Sequence, residues 1–343
     1  MKKNYKKLNA IIIGVGKMAE VHFQSIKKLK INLLGIYDIS KKNREKFKKK
    51  FKLKKIILIQ NLNNFIKKNK IDLSIVSTTS DTHSKYAIQC AENKVKYIFV
   101  EKPMATSIHD CQKMISACKK NGSKLSINHN KIFSKEYKII DKLIKSKKLG
   151  QFISMNVSAG NIGLAMNATH YIHFFLSITK SQIKKINGFF EDKKLFNPRG
   201  KIFLDKSGQI MLENSKKQYF NLNAYNQNGH GINTIYNFQY GNIFLNEIDN
   251  FGYLSKRKNK YLKFPSYKYG MPSSSFSFKY KRPSLKNMTT ETLKNLINGK
   301  SSSSLKTAVK VVKILNASFK SNELKGLTCN LSNLNKKKKF PWA

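Results

Sequence analysis

Apolar runs and amphipathic segments alternate along the chain from Leu8 to about Asn128. The runs NAIIIGV, NLLGIYD, KIILI, DLSIVST, KYIFVE and KLSIN predict six strands. Each is almost continuously apolar, the pattern of a strand covered on both faces. Helical stretches separate them. The clearest, Ser107 to Asn121, places Ile108, Cys111, Ile115 and Cys118 on one face and stops before Gly122. Strands that alternate with helices predict a doubly wound parallel sheet, since right-handed crossovers put helices on both of its faces.

Beyond Asn128 the pattern changes. A helical segment, Glu136 to Ser146, precedes strand-like runs such as QFISMNVSA, KIFLD, QIMLE and NIFLNEID, several separated by turn residues as in DKSGQ and QYGN. These predict a large, mainly antiparallel sheet. Two further helical patterns, TTETLKNLIN and LKTAVKVVKILNASF, are joined by GKSSSS, whose serines suit the start of the second. The 343 residues are read as two domains: an α/β domain over residues 1–128, and an α+β domain over 129–330 whose terminal helices can pack back on the first. Residues 331–343, which contain the run KKKK, read as a basic tail.

The net charge of +49 raises the question of nucleic acid, because clustered basic side chains neutralise phosphates. Yet among 67 basic residues only Arg44, Arg199, Arg257 and Arg282 are arginines, the residue whose bidentate fork phosphate and base recognition favour. The lysines are scattered throughout and read as a solvated surface, so neither nucleic acid nor a membrane is a predicted partner. Their field still attracts anionic substrates and cofactors. No stretch approaches the ~18 apolar residues of a membrane span, and the basic, apolar start is cut short by Lys17 and Glu20, unlike a signal peptide. Cys90, Cys111, Cys118 and Cys329 form no Cys-x-x-Cys pair, so a reducing, cytoplasmic setting is expected.

The first strand runs directly into Gly14-Val15-Gly16-Lys17-Met18-Ala19 and then a helix, the setting that a dinucleotide-binding turn requires. Gly14 permits the tight turn, Gly16 lets backbone approach a pyrophosphate, and small Ala19 allows close helix packing. Lys17 and Met18 open the helix whose N-terminus faces the phosphates. About 20 residues further on, Asp38 ends the second strand, where a carboxylate accepts hydrogen bonds from an adenosine ribose. That favours NAD, since the carboxylate repels a 2′-phosphate. Lys41, Lys42 and Arg44 lie just beyond and keep NADP open.

The stretch FVEKPMATS, Phe99 to Ser107, ends the fifth strand, and a parallel sheet binds its ligands at the carboxyl ends of its strands. Lys102 is therefore expected in the cofactor cleft, where desolvation and neighbours can lower its pKa and make it a proton donor or acceptor. Glu101 can orient it, and Pro103 fixes the turn. Taken alone, the tripeptide reads better as a helix-entry loop with a solvated lysine.

With these motifs the chain resembles the Gfo/Idh/MocA family of NAD(P)-dependent oxidoreductases, which act mainly on sugars, cyclitols and their derivatives. The resemblance rests on GVGKMA, VSTTSDTH, VEKP, NHNKIFSKEY ahead of KKLGQFISM, NATHYIHFF, and the closing pair of helices; from Asn187 to Asn287 it holds only in general character. It implies a Rossmann NAD(P)-binding domain and a substrate-binding domain. The implied reaction is hydride transfer between nicotinamide and a carbinol or carbonyl carbon of a sugar, cyclitol or nucleotide-linked sugar. By the same resemblance Lys102 is the proton-handling residue and His170 its catalytic partner. Thr78, Ser80 and His83 would lie along the nicotinamide side, with Glu101 also at the cofactor, and Asn130, Lys102 and His170 would face the substrate, which Asn167 or His173 would orient in place of carboxylates that this chain lacks. His83 reads equally as a cap or packing residue.

One departure matters. Many members carry Asp four residues before the His and often another three after it, where this chain has Met166 and His173. A regulatory or scaffold protein that keeps the cofactor fold without the chemistry is therefore the alternative. His170 and His173 have the helical spacing of a zinc pair, but no third ligand is evident and no metal is predicted. Substrate-domain sheets of this kind often pair across subunits, so a homo-oligomer is expected.

Overall fold

A computed structural model describes residues 5–191, 205–265, 272–300 and 304–341. They divide into two compact units. The first comprises Met1–Lys131, Pro283–Val312 and Asn335–Trp342, and the second Ile132–Arg282 and Lys313–Leu334.

In the first unit the six apolar runs are strands β1 (Asn9–Ile13), β2 (Asn32–Tyr37), β3 (Ile57–Ile59), β4 (Leu73–Val76), β5 (Tyr97–Val100) and β6 (Lys124–Ile127). They pair in parallel in the order β3-β2-β1-β4-β5-β6. The central β1, β4 and β5 are shielded on both faces, which is why their sequences are apolar without alternation. Between the strands lie α1 (Lys17–Lys28), α2 (Lys41–Lys50), α3 (Leu62–Lys68), α4 (His83–Glu92) and α5 (Ile108–Lys120). Ser40, Asn61 and Ser107 start α2, α3 and α5 by accepting a backbone N–H into the side-chain oxygen. The direction of winding reverses between β1 and β4. In an open α/β sheet that switch point is where a crevice for ligand forms.

The second unit begins with α6 (Lys135–Ser146), β7 (Phe152–Ala159) and α7 (Thr169–Thr179). Seven more strands follow: β8 (Ile183–Phe190), β9 (Gly208–Asn214), β10 (Tyr219–Ala224), β11 (Asn233–Phe238), β12 (Gly241–Asn246), β13 (Phe251–Arg257) and β14 (Ser273–Lys279). The sheet order is β14-β13-β12-β11-β7-β10-β9-β8, antiparallel except for the β7–β10 pair. One face is the core. There Phe174 and Phe175 of α7 rest on Tyr236 and Phe220, with ring centroids 5.9 and 5.5 Å apart. The run KIFLD, expected as a strand, lies outside the described residues except for Asp205.

Helix α8 (Leu285–Ile297) belongs to the first unit, and α9 (Leu305–Glu323) contributes to both. The segment expected as a basic tail is not free. Its lysine side chains are exposed, but Phe340 is buried, its N–H donates to the Thr106 carbonyl (3.1 Å), and the Lys336 carbonyl accepts from His109 N (2.8 Å). Burying an aromatic ring offsets the entropy lost in ordering the residues before it. All four cysteines are buried and unpaired. Among the described residues no helix is long and apolar enough to cross a membrane.

Candidate active site

β1 turns at Gly14, whose φ is +84° and where a Cβ would stand 2.7 Å from the Thr78 backbone nitrogen, so only glycine fits. The strands on either side hold the turn. Gly14 N donates to Tyr37 O (2.7 Å), Val15 N to Asp38 Oδ2 (3.0 Å), and Ser77 Oγ to Gly14 O (2.6 Å). Gly16 is different. A Cβ there would meet no protein atom within 4 Å, and no side chain caps the first turn of α1 that Gly16 precedes. Open space against a helix N-terminus with uncapped N–H groups is what a pyrophosphate needs. The residues present therefore fit a dinucleotide, which Gly16, Lys17 and Met18 would hold at its phosphates and Asp38 at its ribose.

Asp38 Oδ2 keeps a lone pair beyond the one that Val15 N occupies, enough for a ribose hydroxyl. Arg44 is 8% exposed, and its guanidinium donates to the backbone carbonyl of Asp38 itself. It is thereby turned inward. Ser80 Oγ is buried without a hydrogen-bond partner, a polar atom left for a ligand to satisfy. Thr78 Oγ1 accepts from Thr82 Oγ1 at 2.8 Å.

His83 starts α4 and is fully buried, with Nδ1 2.9 Å from the Pro103 carbonyl and Nε2 3.1 Å from the Thr78 carbonyl. Burial lowers its pKa, opposed only in part by the Pro103 carbonyl. This is the packing geometry. The ring ties the loop after β4 to the loop after β5.

β5 delivers Glu101 and Lys102 at its carboxyl end. Glu101, expected along the cofactor, turns its carboxylate inward: Oε1 lies 2.8 Å from His22 Nε2 and accepts from Asn128 Nδ2 (2.8 Å), while Oε2 accepts from Lys102 N (3.2 Å). Burial pushes its pKa up, but the His22 and Asn128 contacts and the Lys102 charge outweigh this and hold it at about 2. Glu101 thus fixes the backbone that carries Lys102. Asn128 and Asn130 also donate to Thr289 Oγ1 on α8, at 3.4 and 3.0 Å, so the Asn130 amide, expected at the substrate, is engaged within the first unit. His22 was not among the sequence candidates. Its signal is there: Ala19, His22 and Ile26 share the buried face of α1, and a buried imidazole needs a partner.

In the second unit, the π-helical turn Leu164–Ala168 leads into α7, on which His170 is the second residue and half-buried. Asn167 donates its Nδ2 to the Ile162 carbonyl (2.6 Å). His173, expected to face substrate, is 1% exposed, and burial drives its pKa down to about 3, so it is a neutral interior side chain. Next to His170, Tyr171 Oη donates to Glu247 Oε2 (3.0 Å). Glu247 also takes Thr234 Oγ1 (3.2 Å) and the guanidinium of Arg282, whose Nε lies 2.9 Å from Glu136 Oε1. These buried contacts lock α7 to α6 and to β11. Among the described residues no group of three or more His, Cys, Asp or Glu could hold a metal ion.

Strand order, glycine turn and strand-end aspartate together define a dinucleotide-binding fold of the Rossmann type. Residues 8–129 match the family described as "Oxidoreductase family, NAD-binding Rossmann fold". It is 26% identical over 141 residues to myo-inositol 2-dehydrogenase of Thermotoga maritima, covering 41% of each chain. To glucose-6-phosphate 3-dehydrogenase of Bacillus subtilis it is 31% identical over 150 residues, 43% of this chain and 40% of the relative. The alignments thus span about two fifths of the length of these relatives. The whole fold is similar to that of an Agrobacterium radiobacter oxidoreductase solved with NAD+, L-tartaric acid and magnesium, at a TM-score of 0.77 and 13% identity over 95% of this chain and 98% of that one.

Proposed function

We propose that the protein is an NAD-dependent oxidoreductase of a sugar or cyclitol, in which Lys102 gives or takes the hydroxyl proton of the reacting carbon. The bound nicotinamide supplies or accepts the hydride. The observation that carries this reading is the buried clamp under Lys102, in which Glu101, His22 and Asn128 fix the lysine's backbone at a strand end of the same sheet edge as the glycine turn. A solvated loop lysine needs no such support. His170, at the start of α7, is proposed as its helper. The names of the two curated relatives support the substrate class, and the positive surface suits an anionic member of it such as a sugar phosphate. Four unpaired thiols suit a reducing cytoplasm. Turnover across a panel that includes myo-inositol and glucose 6-phosphate tests the reading. A folded protein that binds NADH and turns over nothing in such a panel would be a cofactor-binding regulator instead.

Cofactor binding is checked by fluorescence titration with NADH. Gly16→Val places a branched side chain where the pyrophosphate would lie, and binding should weaken at least about 100-fold while the fold persists, since a Cβ there meets no protein atom. NADP should bind about tenfold more weakly than NAD, because Asp38 repels the extra phosphate and Arg44 is turned inward. Unchanged NADH affinity in Gly16→Val would remove the cofactor site from this loop.

The homo-oligomer reading rests on the second sheet. Its adjacent strands β12, β11, β7 and β10 contain no charged residue, in a chain of net charge +49. On the outward face Asn221, Asn156, Ile235, Phe244 and Tyr253 stand side by side across five strands. A second copy can approach there without lysine meeting lysine. Sedimentation should show a dimer or larger species at micromolar concentration, and Ile235→Lys with Asn156→Lys should convert it to monomer. A wild-type monomer would refute the assignment.

A further inference from the structure

The approach to α7 is held in an unusual way. Leu164 N donates to the Lys206 carbonyl (2.9 Å), Ala165 N to Asp205 Oδ1 (2.8 Å) and Met166 N to Asp205 Oδ2 (2.8 Å), so three successive N–H groups at the start of the turn are taken by two residues some 40 positions away in the chain. Asp205 Oδ1 also accepts from Lys206 N (2.9 Å). The fit is tight. Gly163 has φ +73°, and a Cβ there would stand 2.1 Å from Asp205 Oδ2. The Gly163 carbonyl then accepts from both Asn167 N (2.9 Å) and Ala168 N (3.4 Å), the second closing a π-type turn. One extra residue in a turn offsets what precedes it by about 100° relative to the helix that follows. His170 is the second residue of that helix, so the direction of its imidazole depends on how this turn is held.

We propose that Asp205, a residue outside the helix, is the positioning residue for His170: its carboxylate takes the backbone N–H groups of Ala165 and Met166 and so fixes the turn from which α7 presents the imidazole. Met166, within the turn, carries no carboxylate of its own. The assignment rests on the reading of His170 as the helper of Lys102, and adds to it the group that orients the helper. A neutral acceptor would not do the same. Asn offers one oxygen where the carboxylate offers two, so Asp205→Asn retains one of the two N–H bonds and turns an NH₂ group against the other.

The test uses the whole protein. In Asp205→Asn, folded by near-ultraviolet circular dichroism, the ring signals of His170 and His173 are followed by NMR. The His170 signal should broaden or split as its ring samples several directions, while that of His173, packed one turn further along the same helix, stays in place. Both signals unchanged would overturn the proposal, and so would both changing alike, since Asp205 would then only stabilise α7. Should Asp205→Asn fail to fold, hydrogen exchange in the wild type decides. The Ala165 and Met166 amides should exchange at least about 100-fold more slowly than unprotected peptide, and exchange at the unprotected rate removes the clamp. With glucose 6-phosphate or myo-inositol, whichever is turned over, Asp205→Asn should lower kcat about tenfold with KM little changed, and should add nothing in a His170→Ala background. Normal turnover by His170→Ala would instead bring down the reading of His170 itself, which keeps the two failures apart.

Discussion

Lys102→Met should leave NADH affinity within about twofold of wild type and reduce turnover by about 10²- to 10⁴-fold, the range that a positioned acid or base contributes. The reason is the division of labour in the first unit. The glycine turn, Asp38 and Ser80 that fit the dinucleotide contact neither the Lys102 side chain nor its clamp in any hydrogen bond described above, so removing the amine should not disturb them. Methionine keeps the length of the chain and loses only the amine proposed to carry the proton. His170→Ala should also be slow, and the double variant less than additively so, because groups that serve one proton transfer cannot be removed twice. His173→Ala is the control: as a neutral, buried ring it should affect stability more than turnover. Near-normal turnover by Lys102→Met would reduce the EKP stretch to a turn.

Much of the first unit was legible because its strands are buried on both faces. Continuous apolar runs such as Ala10–Ile13 and Tyr97–Val100 suit a strand buried on both faces, and Ser107 ahead of an amphipathic run marks the start of α5. The second sheet was less so. β7, β9 and β12 alternate and were read as strands, but β14 is a serine-rich edge strand, exposed at almost every position, with no core side for a period of two to report. The glycine turn and Lys102 were visible as local motifs. What supports them was not, because His22 and Glu101 are 79 residues apart and Ala165 and Asp205 are 40 apart, and only the folded chain chooses such partners. The same holds for roles. Glu101, His83 and His173 sit where motif reading puts them along the chain, yet burial turns each inward, and burial is a property of packing.

The buried His22–Glu101 pair should make the first unit acid-sensitive in a defined window. Glu101 is held at about 2, below the ~4.3 of an unfolded glutamate, so its ionised form is favoured by folding. The sign follows: this stabilisation is complete above about pH 4.5 and is lost progressively as pH falls towards 2, amounting to about 3 kcal/mol in all. Replacing His22 by Leu removes one partner of a buried carboxylate, to which Asn128 Nδ2 and Lys102 N still donate, and should cost about 3–5 kcal/mol at pH 7. The carboxylate can escape that penalty only by taking up a proton, so Glu101 in His22→Leu should titrate upward and the variant should lose less stability on acidification than the wild type. Replacing both residues by apolar ones should recover much of the loss, because what destabilises His22→Leu is an uncompensated charge and not the missing bond. Urea unfolding between pH 3 and 7 on the wild type, His22→Leu and the double variant measures all three. Parallel pH dependences in wild type and His22→Leu would mean that Glu101 owes its ionisation to Asn128 and the Lys102 backbone, and that His22 is packing alone.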